Sequence, residues 1–306
     1  MRILVVGAGG IGGYFGAKLA RAGEAVVFLA RGEHLAAIRR DGLRIRSTIE
    51  GESVAKVDAV DSVAGLPPVD MVLLCVKSFD TDAAAAAIRP VIGPATGVVS
   101  LQNGVDNEGR IDAALGAGHA LGGAAYVFAT IEAPGVIVHR FGGRITFGEL
   151  DGATRPRAER LRDALARAGV PVELSPHITR VLWEKYLLIS AQAGMTALTR
   201  GPIGVLRAIP ESWRMYRRIV EELAAVARAA GVDLGDTAVE AIMTAAAELD
   251  PKAVSSLHHD LVSGRRLELE ALHGHAARLG ERLGVPVPTI FAVYAALKPH
   301  ADGRRG

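Results

Sequence analysis

The 306-residue sequence predicts an α/β domain over residues 1–174 followed by an all-α domain over residues 175–306. Three observations predict it. Continuous apolar runs alternate with helix-period segments up to about residue 174, a glycine-rich turn follows the first of those runs, and no strand pattern occurs after about residue 175. Continuous rather than alternating apolar strands, joined by helices, indicate a parallel sheet covered on both faces. A chain of this length suits two domains. It buries roughly 75% of its unfolded surface, so neither disulfides nor a metal are needed to hold it together.

The elements follow in order. Arg2–Val6 reads as a strand, Ile11–Ala22 as a helix closed by Gly23, and Ala25–Ala30 as a second strand. His34–Arg40 is a short helix ended by the Asp41-Gly42 turn, and Val69–Val76 and Val98–Leu101 are apolar strands. Ala124–Ala129, Gly135–Arg140 and Arg144–Phe147 read as shorter, more antiparallel strands around Pro134-Gly135 and Gly142-Gly143. Arg155–Ala168 is a helix and Val170–Leu174 the last strand. Ser175-Pro176 then gives an N-cap with proline at the first helical position, opening a helix through Ala193. Glu211–Ala230 is a helix ended by Gly231, and Asp236 caps another that stops before Pro251. Two more cover Ser255–Leu279 with a break near Ser263-Gly264, Pro288–Leu297 is the last, and the Gly303–Gly306 tail reads as frayed.

Composition excludes several classes of function. Thirty-five basic against 33 acidic residues leave +2, too near balance for a protein that binds nucleic acid by neutralising phosphates. No apolar run approaches the roughly 18–20 residues of a membrane span, and glycines break the apolar start too early for a signal peptide. The single cysteine, Cys75, rules out a disulfide framework and fits a reducing, cytoplasmic setting. Of the basic residues 29 are arginine and only six lysine. A lysine within an apolar stretch therefore stands out, because a desolvated lysine can release its proton near neutral pH and an arginine cannot.

Gly7-Ala8-Gly9-Gly10-Ile11-Gly12 joins the first strand to the first helix. Gly7 permits the tight turn, Gly9 lets the backbone approach a pyrophosphate, and Gly12 lets helix and strand pack closely. The pyrophosphate would sit on the positive end of the helix. This context makes the α/β half Rossmann-type and its cofactor a dinucleotide. At the end of the second strand stands Arg31, where an NAD enzyme usually places an acid. A guanidinium suits a 2′-phosphate, which points to NADP; the bland alternative is an ordinary solvated arginine. Lys77 and Gln102-Asn103-Gly104 end two further strands at the edge where open α/β sheets bind ligands. Singly they read as a snorkelling lysine and a polar turn, together as the lining of a cleft.

In the next helix the neighbours of Lys185 at i±3 and i±4 are Leu182, Leu188, Val181 and Ile189, all apolar. The lysine thus belongs to the apolar stripe, where desolvation makes it a proton donor at neutral pH. A structural pairing with a carboxylate competes with that reading. Ser256 and Asp260 share a helix face, and Glu268 and Glu270 follow, which on spacing alone is a solvated face with an N-cap serine. His258, His259, His273 and His275 do not make a metal site, because adjacent histidines point apart and no cysteine is near. No GxSxG elbow supports serine hydrolysis.

With these residues in place the sequence resembles the ketopantoate reductase (2-dehydropantoate 2-reductase) family over nearly its whole length. The resemblance rests on GAGGIGGYFGAKLA, the arginine after strand 2, VKSF, LQNG, the Pro134-Gly135 to His139 stretch, Trp183-Glu184-Lys185, and the SS-x3-D-x3-GR-x-LE pattern from Ser255 to Glu268. It implies NADPH-dependent reduction of a 2-oxo acid to a 2-hydroxy acid. It further implies that Gly7 to Gly12 hold the pyrophosphate, Arg31 the 2′-phosphate, and Lys77 and Asn103 the ribose and nicotinamide end. Lys185 would be the general acid, Ser256 and Glu268 would hold substrate, with Glu268 also near the cofactor, and Asp260 would support them. One departure concerns the substrate. The family's lysine is followed four and eight residues later by asparagines, and this chain has Ile189 and Ala193 there. Polar groups of a ligand left unpaired cost roughly 1–3 kcal/mol each, and Ser190 or Gln192 would replace the amides only on a rotated helix.

The expectation is therefore a reductase whose substrate lies between the domains. 2-Dehydropantoate, in pantothenate biosynthesis, is the first candidate, and a more apolar 2-oxo acid or ketone the second. The competing class is a non-catalytic NADP-binding sensor. A homodimer through apolar helices such as Ala238–Ala247 is the partner expectation.

Overall fold

The computed structural model describes residues 1–303, so the tail expectation falls outside the described residues for 304–306. The chain divides into two units, one of residues 1–102 and 107–178, the other of residues 103–106 and 179–306.

The first unit is built on ten strands: β1 (Arg2–Val6), β2 (Ala25–Leu29), β3 (Leu43–Ser47), β4 (Gly51–Ala55), β5 (Asp58–Val60), β6 (Val69–Leu74), β7 (Ile92–Ser100), β8 (Ala120–Ala133), β9 (Val136–Glu149) and β10 (Val172–Leu174). They form one mixed sheet in the order β4-β3-β9-β8-β7-β6-β1-β2-β5, with β10 beside β9. Its helices are α1 (Gly10–Arg21), α2 (Gly32–Asp41), α3 (Thr81–Ile88), α4 (Asn107–Leu115) and α5 (Pro156–Arg167). The centre, β2-β1-β6-β7, is parallel. Leu4, Val5, Met71, Val72 and Leu74 there are fully buried, each contributing about 1.5–3 kcal/mol through burial. Strand β1 is apolar on both faces for this reason, with helices or loops covering each.

The antiparallel expectation for residues 124–147 holds, with one correction. Gly142-Gly143 is not a turn between two strands but lies inside β9, which runs unbroken against β8 with register shifts at Tyr126/Val127 and Phe128/Ala129. Both glycines have positive φ, +81° and +121°, and a Cβ at Gly143 would press to 2.6 Å from the Tyr14 hydroxyl. A bulge, not a hairpin, therefore explains this glycine pair. The β3–β4 hairpin is absent from the sequence expectation because its apolar residues alternate with charge: Arg44 and Arg46 pair with Glu52 on the exposed face.

The second unit contains only helices among its described residues: α6 (Ile178–Thr199, its first residue in the other unit), α7 (Ile203–Ala208), α8 (Pro210–Ala229), α9 (Ala238–Glu248), α10 (Ser256–Val262), α11 (His275–Leu283) and α12 (Pro288–Leu297). Tyr216, Ile219, Val220 and Leu223 of α8 pack with Leu187 and Ala191 of α6 and with Ile290 and Val293 of α12. The helix expected to open at Ser175-Pro176 begins three residues later, at Ile178, because Ser175 closes a turn instead of capping the helix, its hydroxyl accepting the His177 N–H at 3.1 Å; the helix also continues six residues past Ala193. The break near Ser263-Gly264 is wider than expected. Residues 263–268 are non-helical, and Glu270–Gly274 then form a turn of π-helix before α11. No helix of the described residues is long and apolar enough to cross a membrane.

Candidate functional site

In the first unit, Gly7, Gly10 and Gly12 of the β1–α1 segment each have their own steric reason. Gly7 adopts φ +98°, and a Cβ there would lie 3.0 Å from the Cys75–Val76 backbone of β6's end. At Gly12 a Cβ would run into the Gly7 carbonyl oxygen and come within 3.0 Å of Val5 and Cys75 side-chain atoms. Gly10 is closed in by the Ala129 carbonyl of β8, and Ile11 is half-buried behind it. Gly9 differs from all of these. Its φ is −72°, it is the N-cap of α1 without a side-chain cap, and nothing lies within 4 Å of where a Cβ would stand. The first turn of α1 carries no acidic side chain. An uncapped helix N-terminus beside an open glycine is the cradle that a phosphate would fill.

The loop is held by a residue the sequence reading passed over. His34, in the first turn of α2, donates from Nε2 to the Ala8 carbonyl at 2.7 Å, while its Nδ1 accepts the Gly135 N–H at 3.0 Å. A single imidazole thus ties the glycine loop to the β8–β9 turn. Arg31 is the N-cap of α2 with a side chain 92% exposed, and its Nη2 lies 3.7 Å from Asp80. An exposed pair of that length is weak, which leaves the guanidinium available to an anion. Lys77 is exposed just beyond β6. Gln102 has a structural place, buried at 5% exposure. Its amide donates to the Val76 carbonyl at 3.0 Å and to the Thr81 hydroxyl at 2.8 Å, clasping the ends of β6 and β7.

The second unit holds Asn103, Lys185, Ser256 and Glu268. Asn103 Nδ2 lies 3.4 Å from Glu268 Oε2, and Glu268 is only 6% exposed. Lys185 is half-buried, at the margin of α6 rather than sealed in it, because Val181, Leu188 and Ile189 around it are themselves half-buried. The buried line of that helix runs instead through Leu182, Tyr186 and Ser190. Ala193 is a core residue at 2% exposure, so of the two positions that depart from the family only Ile189 is half-exposed. Ser256 is the exposed first residue of α10; the cap itself is Ser255, whose hydroxyl accepts the His258 N–H at 3.0 Å. Asp260 faces Arg265 at 3.2 Å. No cluster of three or more potential metal ligands occurs among the described residues.

Two ionisable groups near Glu268 are strongly shifted. Burial pushes His273 down to about 4, only partly offset by its hydrogen bond to the Ser190 carbonyl. Burial would raise Glu270, but hydrogen bonds from Lys298, Tyr294 and Arg278 outweigh it and hold the carboxyl down at about 2.

Family models described as ketopantoate reductase PanE/ApbA and its C-terminal domain match residues 3–152 and 177–301. A 2-dehydropantoate 2-reductase of Halobacterium salinarum is 32% identical over 291 residues, 95% of each chain. A Bacillus subtilis protein named uncharacterized oxidoreductase YkpB is 29% identical over 299 residues, 97% of this chain and 98% of that one. The crystal structure of a PanE/ApbA family ketopantoate reductase from Ralstonia eutropha superposes with a TM-score of 0.90 at 34% identity, covering 98% of both chains.

Proposed function

The chain belongs to the ketopantoate reductase family of oxidoreductases acting on CH–OH groups, and from that premise we propose that it reduces a 2-oxo acid to the 2-hydroxy acid with NADPH, 2-dehydropantoate being the first substrate to try. The observation that carries this reading is the open backbone at Gly9 on the uncapped start of α1, with the exposed Arg31 at the end of the adjacent strand. When bound there, the reduced nicotinamide supplies a hydride to the carbonyl carbon. The chain's own groups do the rest. Backbone N–H groups of residues 9–12 hold the pyrophosphate, and Arg31 pairs with the 2′-phosphate. Lys185 donates a proton to the carbonyl oxygen as negative charge develops on it, and is half-exposed so that water can reprotonate it. Glu268, held by Asn103, and Ser256 orient the substrate.

A second reading is favoured by Ile189. A half-exposed isoleucine one turn beyond Lys185 suits an apolar chain on C3 of the 2-oxo acid better than a hydroxyl. NADPH consumption over a panel of 2-oxo acids, with and without a terminal hydroxyl, separates the two. NADPH that binds tightly but is consumed with none of them would leave a sensor. Replacing Arg31 by Ala is expected to weaken NADPH binding about tenfold or more, the loss of one charge-assisted contact, with NADH binding unchanged. Equal loss for both nucleotides would refute the assignment of Arg31. Location in the cytoplasm and pairing of two copies through α9, whose Ala241, Thr244 and Ala247 are exposed, belong to the same proposal; light scattering reads the latter.

A further inference from the structure

We propose that Tyr186 is a positioning residue that fixes the register of the Lys185 helix against the segment carrying Glu268; the inference rests on the reading of those two residues given above. The observation is a break in a helical ladder. At Glu270–Gly274 the His275 N–H donates to the Glu270 carbonyl, five residues back instead of four. The Ala271 carbonyl thereby loses the N–H that an α-helix would give it.

The Tyr186 hydroxyl enters that gap. It donates to the Leu272 carbonyl at 2.5 Å and lies 3.1 Å from the Ala271 carbonyl, and the Ala276 N–H is directed at the Tyr186 hydroxyl oxygen itself. A side chain inserted into the backbone ladder is one of the few devices that hold such a turn open. The ring is 1% exposed and packs edge-on to Trp183 at 5.5 Å, so the hydroxyl has no water to turn to.

A second tie runs in parallel. One turn further along α6, the Ser190 carbonyl accepts from His273 Nε2 at 3.0 Å. Gly194 makes room for that imidazole, since a Cβ there would stand 2.5 Å from Nε2. At its other end the widened turn is hooked to Glu268, whose carbonyl accepts the Leu272 N–H at 3.1 Å. The sequence from Lys185 to Tyr186, to the wide turn, to Glu268 and on to Asn103 is thus one connected set of bonds within the second unit. Without the hydroxyl, the turn is expected to wind back to an α-helical register, rotating the residues before it.

Tyr186→Phe removes the hydroxyl and keeps the ring. Tyr216→Phe is the matched control, because that fully buried hydroxyl also bonds a carbonyl of α6, Leu188 at 3.4 Å, away from the wide turn. Both variants should melt a few degrees lower. Only Tyr186→Phe should lower kcat, by about tenfold or more as expected for a misplacement near 1 Å, with the KM for NADPH unchanged. Equal kcat values in the two variants, or a change confined to KM, would overturn the proposal. A crystal structure of Tyr186→Phe should show residues 270–274 rewound and Glu268 displaced; an unaltered turn overturns it as well. Should the unmutated protein reduce no 2-oxo acid, that result counts against the proposed reaction, and the crystal structure decides the role of Tyr186.

Discussion

Replacing Gly9 and Gly12 separately by alanine distinguishes the two jobs of the glycine loop. At Gly12 the new methyl would meet the Gly7 carbonyl oxygen and side-chain atoms of Val5 and Cys75 at 3.0 Å. Overpacking of that kind costs about 1–3 kcal/mol, against a gain near 1 kcal/mol for alanine over glycine inside a helix. The net expectation is a loss of up to about 2 kcal/mol, and each kcal/mol lowers the melting temperature by about 2–4 °C in a domain of this size. At Gly9 no atom lies within 4 Å and φ is −72°, so alanine meets no clash or strain in the free protein. Its methyl would instead fill the place proposed for the pyrophosphate. Loss of two hydrogen bonds to a charged group, about 1.5–3 kcal/mol each, weakens binding by two orders of magnitude or more. Thermal melts without nucleotide and fluorescence titration with NADPH measure the two effects. Gly9→Ala should melt within about 4 °C of the parent, since an N-cap change to alanine costs about 1 kcal/mol or less there, and should bind NADPH at least a hundredfold more weakly. Parental NADPH affinity in Gly9→Ala would refute the cradle.

Other perturbations test the frame around the site. Burial holds His273 at about 4 instead of the ordinary 6.5, so the unfolded chain takes up a proton that the folded chain refuses. Stability present above pH 6.5 should therefore fall on the order of 3 kcal/mol as pH drops from 6.5 toward 4; urea melts of the parent and His273→Gln across that window should show a shallower fall in the variant, and parallel curves would contradict it. Glu149, with a side chain 2% exposed, is gripped by Arg157 from Nε at 2.8 Å and Nη2 at 2.5 Å. Arg157→Ala leaves that carboxylate buried with Arg155 alone at 3.3 Å, and a loss of about 3 kcal/mol is expected in chemical unfolding; an unchanged midpoint would mean that the pair does not hold β9 to α5.

Much of this architecture is legible in the sequence because the signals are local. The apolar run Arg2–Val6 with the glycines after it specifies the β1–α1 turn, and Ser175-Pro176 marks the turn that leads into α6 at Ile178. What the sequence hides is set by partners far along the chain. The stretch Leu43–Val60 is a run of charges and short apolar residues until β9 and β2 supply neighbours for it. Gly142-Gly143 looks like a turn until β8 is seen running past it. The clamp of His34 on Ala8 joins residues 26 apart, and the hydroxyl of Tyr186 meets carbonyls 85 and 86 residues away. Lys185 is a subtler case. Its neighbours at i±3 and i±4 are all apolar, yet residue type alone does not say which part of an apolar stripe is covered, and here the covering falls one residue over, on Tyr186.

The proton donor is the centre of the account, and Lys185→Ala tests it directly through the rate of NADPH oxidation with the 2-oxo acid that the parent protein reduces fastest. The account predicts a fall in kcat of about 10²–10⁴-fold, the range for removal of a general acid, with NADPH affinity unchanged because Lys185 is assigned to the substrate carbonyl oxygen and not to the nucleotide. Turnover by Lys185→Ala at the parental rate would contradict it.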